Sequence, residues 1–310
     1  MGLSEFELIA RAFRRGDAPV HPLTRIGNGD DASVHALADG MELVVSTDVS
    51  VAGVHWPSDM PVDMAADRAV CAALSDLAAM GAEGCWAWVS VMAAGGDEVM
   101  AMGTGVNAAL ARYGMELAGG DTAHAGCNAI AVTVGGQLPV GSAMRRDAAC
   151  AGDELWLCGR VGHAALGFIR WQQGERDGPF VDAFARVRPL LETGVRLRGA
   201  GVRCCIDISD GLLQDASHLA SASNIALNIQ LQDCPGWQEL CQAVDVRTAQ
   251  DLAAGGGEDY ALLFTAPVEL QSKLAAFATR IGVCRKGSGV RLWYEGQKPE
   301  VTEKGYDHFA

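Results

Sequence analysis

The 310 residues contain no Gly-Lys dipeptide and therefore no Walker A loop. His-Arg-Asp and Asp-Phe-Gly, the marks of a protein kinase, are missing as well, and so are Gly-x-Ser-x-Gly and the EF-hand calcium loop. No Cys-x-x-Cys occurs among the ten cysteines, which removes the sequence basis for a structural zinc site. Basic residues are scarce: 24 Lys plus Arg face 38 Asp plus Glu, for a net charge of −14. Phosphate backbones demand clustered Lys and Arg, so this balance excludes a general nucleic-acid binder. No apolar run of about 18 residues exists, which excludes a helical membrane span. Acids stand in the opening MGLSEFELIARAFRR where an export signal would carry its basic region, and the expectation is a cytoplasmic protein with reduced, mostly buried thiols.

What is present is an alternation of apolar strands and alanine-rich helices. Ser4 with Glu7 reads as a capping box opening an amphipathic helix. Strands are predicted over 41–50, 85–92, 115–122, 128–138, 153–159, 225–232 and 258–267, with another in 201–211 running into a helix start and a last one near 288–296. Helices are predicted over 62–80, 97–113 and 267–281. The small-residue stretch PVGSAMRRDAACAG (139–152) reads as a boundary, giving domains over 1–140 and 150–310. The fold class is therefore α/β with α+β layering, most simply two α/β domains.

The acids are grouped. Asp30 and Asp31 follow Gly29; Asp48 closes the strand ending Ser46-Thr47-Asp48; Asp76 lies in the apolar helix LSDLAAMGA. Asp121 follows Gly119-Gly120, Asp207 and Asp210 flank Ile208-Ser209, and Glu258-Asp259 follow Gly255-Gly256-Gly257. These are nine of the 38 acids, and without them the excess over the 24 bases shrinks to five. Glycine beside a carboxylate permits close approach and positive φ, and strand ends are where α/β proteins handle ligands. A single Asp beside Gly is as well explained by a turn or a helix cap. Asp76 is less easily explained that way, because an apolar helix offers it no partner and Arg68 is too far along the helix to pair with it.

Should the carboxylates converge, each pair near 4 Å repels by about 4 kcal/mol at an effective dielectric of about 20, so cations must join them. Oxygen-only ligands select hard ions, and Mg²⁺ in particular shares its shell with substrate phosphates. The residues thus point to metal-bridged phosphoryl chemistry. Gly-x-Gly-x-x-Ala occurs at Gly27 and Gly103 without a clear preceding strand and is read as chance. A magnesium-dependent phosphatase and a non-catalytic nucleotide-binding module remain open on these grounds.

GDDA at 29–32, STDVSVAGVHW at 46–56, LSDLAAMGA at 74–82, AGGDTA at 118–123, IDISDG at 206–211, GGGEDYAL at 255–262 and the terminal KGYDHF occur in one order along the chain. Together with the opening helix they resemble, nearly end to end, the thiamine-monophosphate kinase family of the aminoimidazole-ribonucleotide-synthetase-like superfamily. The resemblance implies two α/β domains of that superfamily's type, the N-terminal one binding ATP and magnesium and forming a homodimer. It implies ATP as co-substrate, several Mg²⁺ ions, thiamine monophosphate as acceptor, and direct in-line transfer giving thiamine diphosphate and ADP.

By motif the implied metal groups are Asp31, Ser46, Thr47, Asp48, Asp76, Asp121, Asp207 and Asp210, with Asp30 beside them. Gly120, Asp121, Arg146 and Ser209 match ATP contacts, and Asp48, Asp121 and Asp210 would carry the transfer. His55 and Glu258 match acceptor contacts. Relatives often carry an aromatic residue three places before the tyrosine of GYDHF; here that place is Glu303, so either Tyr306, Trp293 or a shifted loop covers the thiamine ring or the substrate pocket differs. Another ATP-using member of the superfamily with a different small acceptor is the alternative.

Overall fold

The structure is a computed structural model and describes residues 5–13, 18–28, 31–302 and 305. Ser4 of the expected capping box, Gly29, Asp30, Glu303 and Tyr306 lie outside the described residues. The chain divides into two compact units, residues 1–77 with 82–141, and residues 78–81 with 142–310.

The first unit contains α1 (Glu5–Phe13), β1 (Thr24–Ile26), β2 (Val34–His35), β3 (Met41–Val51), most of α2 (Val62–Met80), β4 (Glu83–Ala93), α3 (Gly96–Arg112), β5 (Glu116–His124) and β6 (Ala129–Pro139). Its main sheet has the order β3-β6-β4-β5. The β3–β6 and β4–β6 ladders are antiparallel and β4–β5 is parallel, the connection between the last pair running through α3. Pro61 precedes the alanine-rich α2, and Gly81 ends it at φ +72°, a conformation that costs glycine little.

The Gly-x-Gly-x-x-Ala at 103–108 sits in the middle of α3. A Cβ on Gly105 would lie 2.0 Å from the Asp63 carbonyl oxygen and one on Gly103 2.5 Å from that of Ala12. Those glycines let three helices approach, which is a packing role and not a phosphate cradle.

The second unit contains β7 (Glu154–Cys158), α4 (His163–Gln172), α5 (Pro179–Ala185), α6 (Leu191–Ala200), β8 (Cys204–Ile208), α7 (Leu212–Ser223), β9 (Ala226–Gln230), α8 (Trp237–Ala243), α9 (Val246–Gly255), β10 (Ala261–Ala266), α10 (Gln271–Leu274), β11 (Thr279–Arg285) and β12 (Gly289–Trp293). The six strands run β12-β9-β11-β7-β10-β8, antiparallel except for the β9–β12 pair. Every residue of β7, β8 and β10 is buried, and apart from Glu154, Asp207 and Thr265 all of them are apolar. Both sheets are thus mixed, and the class is α+β more than strictly alternating α/β.

The helix expected over 267–281 does not form. A 3₁₀ turn (Val268–Leu270) and the single turn α10 give way to β11, which pairs with β9 and β7. Gly282 decides this locally: a Cβ there would stand 2.0 Å from the Asn228 carbonyl oxygen, so β11 lies tight against β9. α9, which the periodicity did not single out, has Asp245 as its N-cap, accepting from the Thr248 amide at 3.1 Å. Among the described residues no helix is long and apolar enough to cross a membrane.

Candidate active site

In the first unit, β3 alternates between exposed Leu43, Val45, Thr47 and Val49 and less exposed Val44, Ser46, Asp48 and Ser50. Ser46 donates its hydroxyl to Asp76 Oδ2 at 2.5 Å, joining β3 to α2. Asp76 is half-buried and has a hydrogen-bond donor in Ser46, whereas its apolar neighbours predict a buried carboxylate in need of a strong partner, a metal ion before a salt bridge. The helix alone could not show this, because the donor comes from 30 residues away in sequence. Thr47 hydrogen-bonds across the ladder to Thr133 Oγ1 at 2.8 Å.

Asp121 stands exposed on β5 and accepts from the Thr122 amide at 2.8 Å. Its register row passes through Ser90 and Ala131 to Val49, next to the row that carries Asp48 with Val132 and Val89. Gly120 is required beside it: a Cβ there would meet the Val89 carbonyl oxygen at 2.0 Å.

Asp31 is exposed in the segment between β1 and β2. Two residues on, Ser33 Oγ accepts the Trp88 indole N–H at 2.8 Å, and Thr24 Oγ1 of β1 accepts that of Trp86 at 3.0 Å. The buried Glu116 accepts from the Thr24 hydroxyl at 2.5 Å and the His21 amide at 2.8 Å. His55 follows β3 and takes the Val51 amide on Nδ1 at 3.0 Å, which fixes the neutral ring with its proton on Nε2.

In the second unit the turn from β8 into α7 carries Ser209 and Asp210, directly after Asp207 and Ile208 of the strand. Asp207 is buried within β8, opposite Leu262 of β10. The turn is organised by a residue that motif reading passed over. Asp215, one turn into α7, accepts three successive amides on Oδ2, from Ser209 (3.0 Å), Asp210 (3.1 Å) and Gly211 (3.1 Å). Gln214 Nε2 donates to Asp210 Oδ2 at 3.1 Å. Burial, with Asp207 and Asp210 nearby, pushes the Asp215 carboxyl up to about 7, against the pull of those amides.

Asp210, Asp215 and His218 bring ligand atoms within 4.8 Å of one another, the one such group of three among the described residues. Among the described residues the first unit's carboxylates make no second group of that kind, though their donor set is still all oxygen and suits a hard cation such as Mg²⁺. Arg145 forms an ion pair with Asp147, while Arg146 is exposed and its carbonyl accepts from Ser223 Oγ at 2.7 Å.

Glu258, Asp259 and Tyr260 lead into β10. Glu258 and Tyr260 hold φ of +72° and +49°, whereas the glycines before them do not take positive φ. Gly257 serves close approach instead, since its Cβ would lie 2.5 Å from the Ser209 carbonyl oxygen. Tyr260 donates its hydroxyl to Glu258 Oε2 at 3.0 Å. Asp259 accepts from the Gly162 and Ala164 amides at the start of α4, at 2.6 and 2.9 Å.

Residues 29–138, within the first unit, match the family model described as AIR synthase related protein, N-terminal domain. Over 326 aligned positions the chain is 32% identical to the thiamine-monophosphate kinase of Salmonella typhimurium (strain LT2), covering 100% of this chain and 99% of that protein. The chain belongs to the thiamine-monophosphate kinase family. A crystal structure of the family's member from Stenotrophomonas maltophilia K279a superposes with a TM-score of 0.80 at 31% identity, covering 96% of this chain and 98% of that one. AaThiL complexed with AMPPCP and TMP superposes with a TM-score of 0.78 at 26% identity, over 88% of this chain and 89% of that one. Family membership therefore extends over both units and not only over the matched N-terminal segment.

Proposed function

We propose that the chain transfers the γ-phosphoryl group of ATP directly to the phosphate of thiamine monophosphate, giving thiamine diphosphate and ADP with Mg²⁺ as the metal. The observation that carries the reading is the AaThiL complex, in which a protein of the same fold holds an ATP analogue and TMP together. In the first unit Asp31, Ser46, Thr47, Asp48, Asp76 and Asp121 are the groups that would hold magnesium; in the second they are Asp207 and Asp210. When bound, the ion supplies charge neutralisation on the phosphates.

The chain's own residues bind and orient. Gly120, Ser209 and Arg146 are assigned to ATP, Arg146 as the cationic contact. His55 would present its Nε2 proton to the acceptor phosphate, a role that Nδ1, occupied by the Val51 amide, cannot take. Glu258 would contact the thiamine portion, with Tyr306 assigned to the same end of the acceptor. In the reaction the bond from the β,γ-bridging oxygen to the γ-phosphorus breaks while an acceptor phosphate oxygen bonds to that phosphorus. The acceptor oxygen is already anionic, so no strong general base is needed, and Asp48, Asp121 and Asp210 act through position and charge.

A homodimer formed through the first unit belongs to the same proposal. Its support is the exposed apolar row on β3, an eleven-residue strand at the edge of its sheet. A cytoplasmic location is also proposed; its support is the ten unpaired cysteines. Purified protein incubated with ATP, Mg²⁺ and thiamine monophosphate should yield thiamine diphosphate, and thiamine itself should yield none. ATP consumption with another acceptor only would move the chain elsewhere in the superfamily, and release of free phosphate without transfer would make it a phosphatase.

A further inference from the structure

Four non-glycine residues among those described have positive φ, and two of them, Glu258 and Tyr260, flank Asp259. Such conformations persist only where surrounding contacts impose them. Here the contacts come from two sides. The Glu258 amide donates to the Ser209 carbonyl at 2.7 Å and the Tyr260 amide to that of Ile208 at 2.8 Å, extending the β8–β10 ladder. On the other side Asp259 Oδ2 takes the Gly162 amide at 2.6 Å and Oδ1 the Ala164 amide at 2.9 Å. Both carboxylate oxygens are used, so the segment is tied to the first turn of α4 as well as to β8.

We propose that Asp259 is a positioning residue: by gripping the start of α4 with both oxygens, it holds Glu258 in its left-handed conformation and so sets affinity for the acceptor. The inference rests on the assignment of Glu258 to the acceptor given above. An amide cannot reproduce the grip. Asn at 259 has one accepting oxygen, and its NH₂ would face a second N–H donor. The two left-handed residues then lose the restraint that Asp259 supplies, and the Glu258 carboxylate leaves its place.

The test compares wild type with Asp259→Asn and Asp259→Ser, the latter a normal helix-capping residue that keeps one acceptor at the start of α4. Hydrogen exchange of the Glu258 and Tyr260 amides reads the backbone directly, and equilibrium binding of thiamine monophosphate, together with KM for each substrate, reads the consequence. Faster exchange at both amides is expected, with acceptor affinity weakened about tenfold or more and KM for ATP within about twofold of wild type. Unchanged exchange in a folded variant overturns the proposal, and so does equal loss toward ATP and acceptor, which is what a merely structural cap would produce. Should Asp259→Asn fail to fold, Asp259→Ser decides by the same readouts. Glu258→Gln separates the underlying assignment: if it leaves acceptor affinity untouched, Glu258 is not an acceptor contact, while the exchange data still judge the grip of Asp259.

Discussion

The Ser46 hydroxyl donates to the Asp76 carboxylate at 2.5 Å, across the packing of β3 on α2. The bond orients a carboxylate and places a second oxygen beside it, an arrangement in which loss of the supporting group costs metal affinity about 10–100-fold. Ser46→Ala should therefore shift the Mg²⁺ dependence of the rate to higher concentration by about that factor at saturating ATP. An unchanged magnesium titration would remove Ser46 from the metal site.

Asp48 and Asp121 occupy adjacent register rows of one sheet and are partly or fully exposed, so neither carries the core. Asp48→Asn and Asp121→Asn should abolish turnover while circular dichroism and the melting temperature stay near wild type. Near-normal activity in either variant would sink the metal assignment for that position.

Asp215 satisfies three amides with one oxygen. Asp215→Ala leaves those buried or half-buried donors without it and should destabilise the protein by about 1–3 kcal/mol in chemical denaturation. Asp215→Asn can still turn a carbonyl oxygen toward the turn and should lose distinctly less. Equal losses in the two variants would mean that negative charge, and not hydrogen bonding, is what the turn requires.

His163 is buried, with Nδ1 3.3 Å from the Val161 carbonyl and Nε2 without a partner. Burial lowers its pKa below the ordinary 6.5. The unfolded chain therefore takes up this proton more readily than the native protein. The part of the stability that this group controls is full above pH 6.5 and falls as pH drops from there toward the lowered native value, while the raised Asp215 carboxyl acts in the opposite sense. His163→Asn should flatten this limb of the stability–pH curve, measured by urea denaturation between pH 7 and pH 5. A wild-type curve with the same limb as the variant would assign the acid sensitivity to other groups.

Leu43, Val45 and Val49 leave 51%, 53% and 49% of their surface exposed in one row of β3. If that row is the proposed dimer face, wild type should sediment at about twice the 32.4 kDa chain mass and Val45→Glu at the single-chain mass. A monomeric wild type at micromolar concentration would overturn the dimer.

The strands that carry the motifs were legible as short apolar runs that meet a carboxylate, as MELVVSTD shows, although β3 continues past Asp48 to Val51 and β5 past Asp121 to His124. Positions that could be named were those whose reason is local. Asp76 could be marked as unusual from its neighbours, but its donor arrives from β3. Asp215 reads locally as an ordinary polar residue one turn into a helix, and becomes an organiser only once the 209–211 turn folds back on it. At 255–260 local logic pointed the wrong way. Glycine advertises positive φ, yet in this segment Glu258 and Tyr260 adopt it and Gly257 provides clearance. The helix expected over 267–281 failed for a similar reason, since contact with β9 outweighs the periodicity of the segment itself.

Seven of the ten cysteines are buried and Cys241 is partly so, leaving Cys127 in the first unit and Cys150 in the second as the exposed thiols. Cys127 lies in the β5–β6 loop and Cys150 just ahead of β7. The native chain thus carries one reachable attachment point on each unit without any engineered residue. A donor and an acceptor dye, or two spin labels, placed on that pair would turn the separation of the units into a spectroscopic distance that can be followed as ATP and acceptor are added.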